Sequence, residues 1–376
     1  MIYRKFKELK LSALGMGAMR LPVINGNDGM IDEAAAEKMV AYAMEKGINY
    51  YDTAWGYHEG QSELAMGRLL KPYPRKDFCL ATKFPGYDLS NMDKAPSIFE
   101  EQLRKCQVEY FDFYLFHNVC EMNIDAYLDE KYAIYSYLME QKKTGRIRHL
   151  GFSAHGSAEV MKRFLDICGK DMEFCQIQLN YLDWSFQDAR AKVGLLKDYG
   201  IPVWVMEPLR GGRLASLPEE HAQTLKNLRP KETVPAWAFR FLQTIPEVAV
   251  TLSGMSSFQQ LKENIDTFQE ERPLDDEEMN TLLNIAGKML EKKVLPCTAC
   301  RYCTTHCPKG LDIPSLLALY NEHRFTQGGF IAPMAMMALP EEKRPAACIG
   351  CSSCEKVCPQ QIKISEAMKD FSERIR

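Results

Sequence analysis

The chain of 376 residues lacks any long apolar run. No stretch approaches the ~20 uninterrupted apolar residues that a membrane-crossing helix needs. It also lacks a basic tail or stripe: 47 Lys and Arg stand against 50 Asp and Glu, for a net charge of −3. Nucleic acid and anionic membranes are therefore not expected partners. Met1 to Lys10 carries charges throughout and has no apolar core of the kind a secretory leader needs, so no leader is expected there. A glycine-rich dinucleotide fingerprint is missing as well. Gly15-x-Gly17 has no strand–helix–strand setting, and no flavin site is read from it. Apolar content of 46% and charged content of 26% are those of an ordinary globular chain, long enough for one large α/β barrel and a smaller unit.

Cysteine, by contrast, is plentiful. Eight of the 13 stand in two matching runs, Cys297-x2-Cys300-x2-Cys303-x3-Cys307-Pro308 and Cys348-x2-Cys351-x2-Cys354-x3-Cys358-Pro359. Each is the spacing by which bacterial-type ferredoxins hold a [4Fe–4S] cluster, the fourth Cys of one run serving the other run's cluster. One site would take Cys297, Cys300, Cys303 and Cys358, and the other Cys348, Cys351, Cys354 and Cys307. Structural zinc normally uses two pairs of ligands rather than a run of three followed by a fourth and proline. A disulfide framework suits small secreted domains, not a chain of this length. Cys79, Cys106, Cys120, Cys168 and Cys175 are scattered and expected to be reduced, buried thiols, which implies a reducing cytoplasm.

Upstream of about residue 270, short strands alternate with longer helices. Expected strands are Leu14–Met19, Ile48–Asp52, Phe78–Lys83, Phe111–Phe116, His149–Ser153, Phe174–Gln178, Val203–Met206 and Val248–Leu252. Helix-period segments include Asp32–Lys46, Ile98–Cys106, Asp125–Lys143 and Phe258–Phe268, with Asp32 and Asp125 at N-cap positions and Gly47 and Gly145 at C-cap positions. Eight strands, each followed by a helical stretch, predict an α/β fold of the (β/α)8 TIM-barrel type. Asp275 or Asp276 caps one more expected helix, running to about Glu291. Beyond it Pro314–Phe325 and Met334–Leu339 read as helical, so the cysteine region is expected to be a small α-helical ferredoxin-like domain stapled by its clusters. The expected division is a barrel over 1–272, a connecting helix over 273–291 and the cluster domain over 292–376.

Catalytic residues of such barrels come from the C-terminal ends of the strands. Those ends carry Asp52, Lys83 and His117, and Tyr57 lies in the loop after the second strand. With Asn49-Tyr-Tyr-Asp-Thr-Ala-Trp-Gly-Tyr57, Ser62-Glu63, Gly67, Ala81-Thr-Lys83 and Leu115-Phe-His117, this set resembles the tetrad of the aldo-keto reductase family over roughly residues 10–270. The resemblance implies an oxidoreductase acting on a small carbonyl compound or the corresponding alcohol. Reduction by hydride leaves an alkoxide that needs a proton. Tyr57 would give it, although a free phenol with a pKa near ~10 is poorly matched to neutral pH. The Lys83 ammonium is expected to lower that value, Asp52 to keep Lys83 charged and oriented, and His117 to donate to the carbonyl oxygen or relay the proton.

The same resemblance implies a nicotinamide cofactor. Ser153 and Gln176 would bond the carboxamide, although Ala154 stands where the family commonly has Asn. Met206 replaces the stacking aromatic at the seventh strand. Gly211 and Gly212 would admit the pyrophosphate, with Arg210 or Arg213 as counter-charges. Ser256 lies in the loop after strand eight, and Glu263 and Asn264 match the adenine-contacting pair. Gly254 and Gln260 occupy the places of the cations that usually clamp a 2′-phosphate, so NADH and NADPH both remain open. Trp55, Tyr87, Asn118, Tyr181 and Trp184 are expected around the pocket mouth. His58, His149, His221, His306 and His323 are read as structural or surface residues.

A nicotinamide moves two electrons as hydride and a cubane moves one, so direct exchange would need a flavin intermediary. Three readings follow. One is a reductase whose two [4Fe–4S] clusters pass electrons to or from a ferredoxin or flavoprotein partner. Another is an electron-transfer module whose barrel only docks a flavoprotein. The last is a carbonyl reductase braced by structural clusters. The complete tetrad favours the first and last.

Overall fold

Two short strands, β1 (Tyr3–Phe6) and β2 (Leu9–Ser12), pair antiparallel ahead of eight parallel strands that close into a barrel. These are β3 (Leu14–Gly17), β4 (Tyr50–Asp52), β5 (Cys79–Phe84), β6 (Phe111–Val119), β7 (Ile147–Ala154), β8 (Cys175–Gln178), β9 (Val203–Met206) and β10 (Val248–Gly254), with β10 returning to pair β3. The computed structural model describes residues 1–291, 294–297 and 299–375, and it divides into two units, Met1–Leu283 and Asn284–Arg376. The expected limits of the cluster domain, residues 292 and 376, lie outside the described residues. Among those residues no helix is long and apolar enough to cross a membrane.

The chain folds this way because its strands are apolar on both faces, the condition for burial between a helical layer and a packed interior. Every residue of β5 is buried. The interior is a stack of large side chains that includes Tyr50, Ala81, Phe113, Leu115, Phe174, Trp204, Val250 and Leu252. Successive strand residues point to opposite faces. The residues two places beyond Tyr50, Ala81, Leu115, Phe174 and Trp204 therefore share the inward face at the C-terminal rim: Asp52, Lys83, His117, Gln176 and Met206. Strand periodicity alone collects these polar groups at one mouth.

The β1–β2 hairpin was not expected. Its turn, Lys7-Glu8, has neither Gly nor Asn, although Lys7 adopts a left-handed φ of 51°. Phe6 packs on Phe113, His149 and Trp204 with ring centroids 5.6, 5.1 and 5.1 Å apart, which closes the N-terminal end of the barrel. Asp32 caps the helix Glu33–Glu45 by accepting from the Ala35 amide at 3.0 Å. Gly47 follows that helix with φ 89°, and a Cβ there would meet the Tyr3 hydroxyl at 2.4 Å. The single helix expected over Asp125–Lys143 is two, Ile124–Leu128 and Ile134–Lys143. Asp129 takes the Lys131 amide at 2.9 Å and breaks the run, while Asp125 pairs with Arg163 instead of capping. Asp275 and Glu278 exchange backbone-to-side-chain bonds of 2.9 and 3.0 Å, a capping box that opens the helix Asp276–Glu291.

The second unit is two copies of one motif. Left-handed residues recur in step (Ala299 with Gly350, Arg301 with Ser352, Gly310 with Gln361), as do the turns Thr304–His306 and Glu355–Val357. Each copy ends in a helix, Ile313–Thr326 and Ile364–Arg374, and the helix Ile331–Met337 lies between the copies. Their core contains Leu311, Ile313, Leu317, Ile362, Ile364, Met368 and Phe371, with the cysteines Cys303 and Cys354 among them.

Candidate active site and cluster sites

At the barrel mouth the Lys83 ammonium donates to Asp52 Oδ1 at 2.6 Å, to the Thr53 carbonyl at 2.8 Å and to the Tyr57 hydroxyl at 3.4 Å. The Tyr57 and His117 rings stand edge to face with centroids 6.2 Å apart. All four residues expected at the mouth are thus brought together. Burial pulls the Lys83 ammonium down, but Asp52 and Tyr57 more than offset this and hold it above the ordinary lysine value. Burial pushes the Tyr57 phenol up, and Lys83 pulls it back without cancelling the rise. The expected lowering by Lys83 is present, but Asp52 lies nearer to the ammonium than Tyr57 does, and desolvation dominates. His117 is held well below the ordinary imidazole value by burial, with the Lys83 charge adding to it. It is neutral at pH 7, and its Nδ1 has no hydrogen-bond partner among the described residues.

A buried network behind Lys83 was not singled out as a unit from the sequence. The Gln102 amide donates to the Lys83 carbonyl at 2.9 Å and to Glu63 Oε1 at 2.7 Å, Thr82 donates to the same Glu63 oxygen, and Tyr114 donates to Gln102. These residues come from separate elements, so no spacing joins them. The mouth aromatics divide. Tyr87 lies 5.1 Å from the His117 ring. Trp55 instead lies 3.7 Å beneath the Lys105 ammonium, and Tyr181 and Trp184 pack on Phe241. Asn118 is buried, with φ 60°.

The expected nucleotide residues follow the rim. Ser153 Oγ accepts the Asn118 amide at 2.8 Å, which leaves its own proton to donate. Gln176 Oε1 is buried with no partner among the described residues. Met206 is half-buried at the end of β9. Beyond it Glu207, Arg210, Gly211 and Gly212 all take left-handed φ values, and a Cβ on either glycine would meet open space. Arg210 is turned to Asp183, its Nε 2.9 and 3.0 Å from the two carboxylate oxygens, while Arg213 is exposed. The Ser256 amide donates to Gln260 Oε1, Glu263 accepts from Gln259, and Asn264 donates to Ser253. Arg20, absent from the sequence reading, lays its stem on Gly254, where a Cβ would meet Arg20 Cγ at 2.8 Å. A buried carboxamide oxygen with no partner among the described residues, at the same rim as an open glycine turn, fits a nicotinamide dinucleotide.

In the second unit one cavity is lined by Cys297, Cys300, Cys303 and Cys358, and another by Cys307, Cys348, Cys351 and Cys354. Each gathers three sulfurs from one run and the fourth from the other. Four soft thiol donors around a cavity fit a [4Fe–4S] cluster. Asn321 pins the approach to Cys297 by bonding both the amide and the carbonyl of Leu295, at 2.7 and 2.9 Å. The five remaining cysteines are buried and unbridged.

A closed parallel barrel with a buried lysine–carboxylate pair and a phenol at its mouth defines a class of oxidoreductase. The chain belongs to the aldo/keto reductase family, whose sequence profile matches residues 13–286; the profile of a 4Fe-4S dicluster domain matches residues 296–363. The probable aldo-keto reductase 1 of Glycine max is 27% identical over 211 residues, which are 54% of this chain and 57% of that protein. The NADH-specific methylglyoxal reductase of Escherichia coli is 25% identical over 69% of this chain and 90% of its own length. Among solved structures, the aldo-keto reductase AKR11C1 from Bacillus halodurans in its holo form superposes with a TM-score of 0.61 at 27% identity, over 76% of this chain and 96% of that one.

Proposed function

We propose that this oxidoreductase reduces a small carbonyl compound, or oxidises the corresponding alcohol, with Tyr57 as the proton donor and NADH or NADPH as the hydride source. The observation that carries this reading is the run of contacts from Asp52 through Lys83 to Tyr57, with a neutral His117 across from the phenol. A phenol held above its ordinary value keeps its proton at neutral pH, as a donor must. Lys83 stabilises the phenolate left after transfer, and Asp52 keeps Lys83 charged without solvent. The neutral His117 donates one N–H to the carbonyl oxygen. A bound nicotinamide would supply the hydride, with Ser153 and Gln176 to hold its carboxamide and Met206 to pack on its ring. Gly211 and Gly212 would admit the pyrophosphate, with the exposed Arg213 as the adjoining cation. Ser256, Glu263 and Asn264 face the adenosine. With Gln260 bonded back to its own loop, a 2′-phosphate gains no bidentate partner there. NADH should therefore bind at least as well as NADPH, in keeping with the NADH-specific relative.

The eight tail cysteines hold two [4Fe–4S] clusters, which supply one-electron transfer to or from a ferredoxin or flavoprotein. Unbridged thiols throughout the chain support a reducing cytoplasm as its compartment. The test is Tyr57→Phe in anaerobically reconstituted protein. Aldehyde-dependent oxidation of NADH should fall by ~10²-fold or more, the scale of losing a general acid, with the cluster absorption unchanged. Undiminished turnover would remove the tetrad from the reaction.

A further inference from the structure

The turn that carries Tyr57 is strained. His58 and Glu59, immediately after it, have φ of 52° and 53°, a left-handed region that non-glycine residues seldom enter. Such strain persists only where surrounding contacts over-determine the backbone, and here they are visible. The His58 side chain is almost fully buried, although it lies in a loop. Its Nε2 accepts the Leu21 amide at 3.1 Å, and its Nδ1 lies 2.9 Å from the Asp28 carbonyl and 3.1 Å from Asp28 Oδ1. Nε2 accepts, so Nδ1 carries the proton and donates to Asp28. One imidazole thus spans the rim loop after β3 and fixes the turn against it.

The same loop is fastened at its other end. Ser62 donates to the Ala18 carbonyl at 2.9 Å and lies 2.8 Å from the Thr53 hydroxyl, and the Thr53 carbonyl takes the Lys83 ammonium. The Ala18 amide donates to the Asp52 carbonyl at 2.8 Å. The Ala18–Asp28 segment is therefore tied to Lys83 and Asp52 on one side and to the Tyr57 turn on the other. Among the described residues the Tyr57 hydroxyl has no hydrogen-bond partner besides Lys83, at a long 3.4 Å, and its ring meets His117 only edge to face.

We infer that His58 is a positioning residue: it holds the Tyr57 hydroxyl in register with Lys83 by locking the Tyr57–Gly60 turn to the Leu21–Asp28 loop. The inference rests on Tyr57 being the proton donor. A hydroxyl displaced by about 1 Å loses on the order of 10²-fold in rate, and the loss should appear in kcat, since the His58 ring is buried against Leu21 and Asp28.

The test is a double-mutant cycle in the reconstituted protein. His58→Asn keeps a residue that tolerates left-handed φ but removes the ring that reaches both partners. It should lower kcat for aldehyde reduction ~10- to 100-fold, with the aldehyde KM and the nucleotide Kd within about twofold. In a Tyr57→Phe background the same change should cost less than about twofold, because the group it positions is gone. An equal loss in both backgrounds would make His58 a general structural residue and overturn the inference, as would an undiminished kcat in His58→Asn alone. If Tyr57→Phe by itself has no effect, it is the proton-donor assignment that fails. Should His58→Asn fold poorly, His58→Gln, which can still reach one partner, should give an intermediate kcat in the wild-type background and none of that loss in Tyr57→Phe.

Discussion

The barrel and the cysteine unit solve the same problem, burial of enough surface to fix a chain, by different means. The barrel stacks Tyr50, Phe113, Phe174 and Trp204 in its interior, each large enough that truncation would cost ~3–5 kcal/mol. The polar groups that face its mouth stand at the ends of its strands. The cysteine unit has a smaller store, of which Tyr320 and Phe371 are the largest members. Two of its core positions are cysteines, and its four-cysteine groups surround cavities instead of filling them. A fold whose interior is its own side chains can carry strained loops at its edge. One whose interior is shared with iron should hold its shape only while the iron is present.

The sharpest way to break this contrast is to strip iron anaerobically with a chelator. The segment beyond residue 284 should lose its helical signal and become protease-sensitive, while the barrel keeps its melting transition. Protected tail helices in iron-free protein would show that the apolar core is sufficient on its own.

A somewhat smaller effect separates stability from chemistry within the barrel. Lys83→Met should lower turnover by ~10²-fold and cost about 3–5 kcal/mol, because Asp52 is left buried with no cation. Adding Asp52→Asn should restore much of the melting temperature and none of the activity. Recovery of turnover in the double variant would mean that Lys83 serves only the fold.

The smallest effect concerns pH. Glu173, at the barrel floor, meets Lys7, Lys142 and His149 Nδ1. Burial pushes its carboxyl up, but these three partners outweigh that and bring it to about 2. An unfolded glutamate titrates near ~4.3. The folded value is the lower one, so the stabilisation is complete above ~4.3 and fades as pH falls towards 2. Glu173→Gln should destabilise by about 1–3 kcal/mol at pH 7, and the difference from wild type should vanish in melts taken near pH 2. A gap that persists at that pH would assign the effect to packing.

Much of this was legible from the sequence because the relevant signals are local. Each of the eight barrel strands overlaps an apolar run bounded by turn residues, and the cysteine spacings recur twice within a short stretch. What escaped depends on contacts between distant segments. The β1–β2 hairpin turns through Lys7-Glu8 without the residues that mark such turns. The break at Asp129 needs a side chain bonding its own backbone inside an otherwise helical pattern. Glu63, Thr82 and Gln102 meet only once three elements pack, and His58 looks like any loop histidine until Leu21 and Asp28 are brought to it. The net rise of the Tyr57 value was not legible for a related reason: a sequence shows that a lysine is near and lowers it, but not how dry the pocket is.

Phe6 gives the barrel a consequence of its own. With that ring wedged among Phe113, His149 and Trp204, the far end is stoppered and the reaction chamber is a blind alley. If Tyr57 is the proton donor, the hydrogen that recharges its phenol after each turnover must also arrive from the rim, not through that floor.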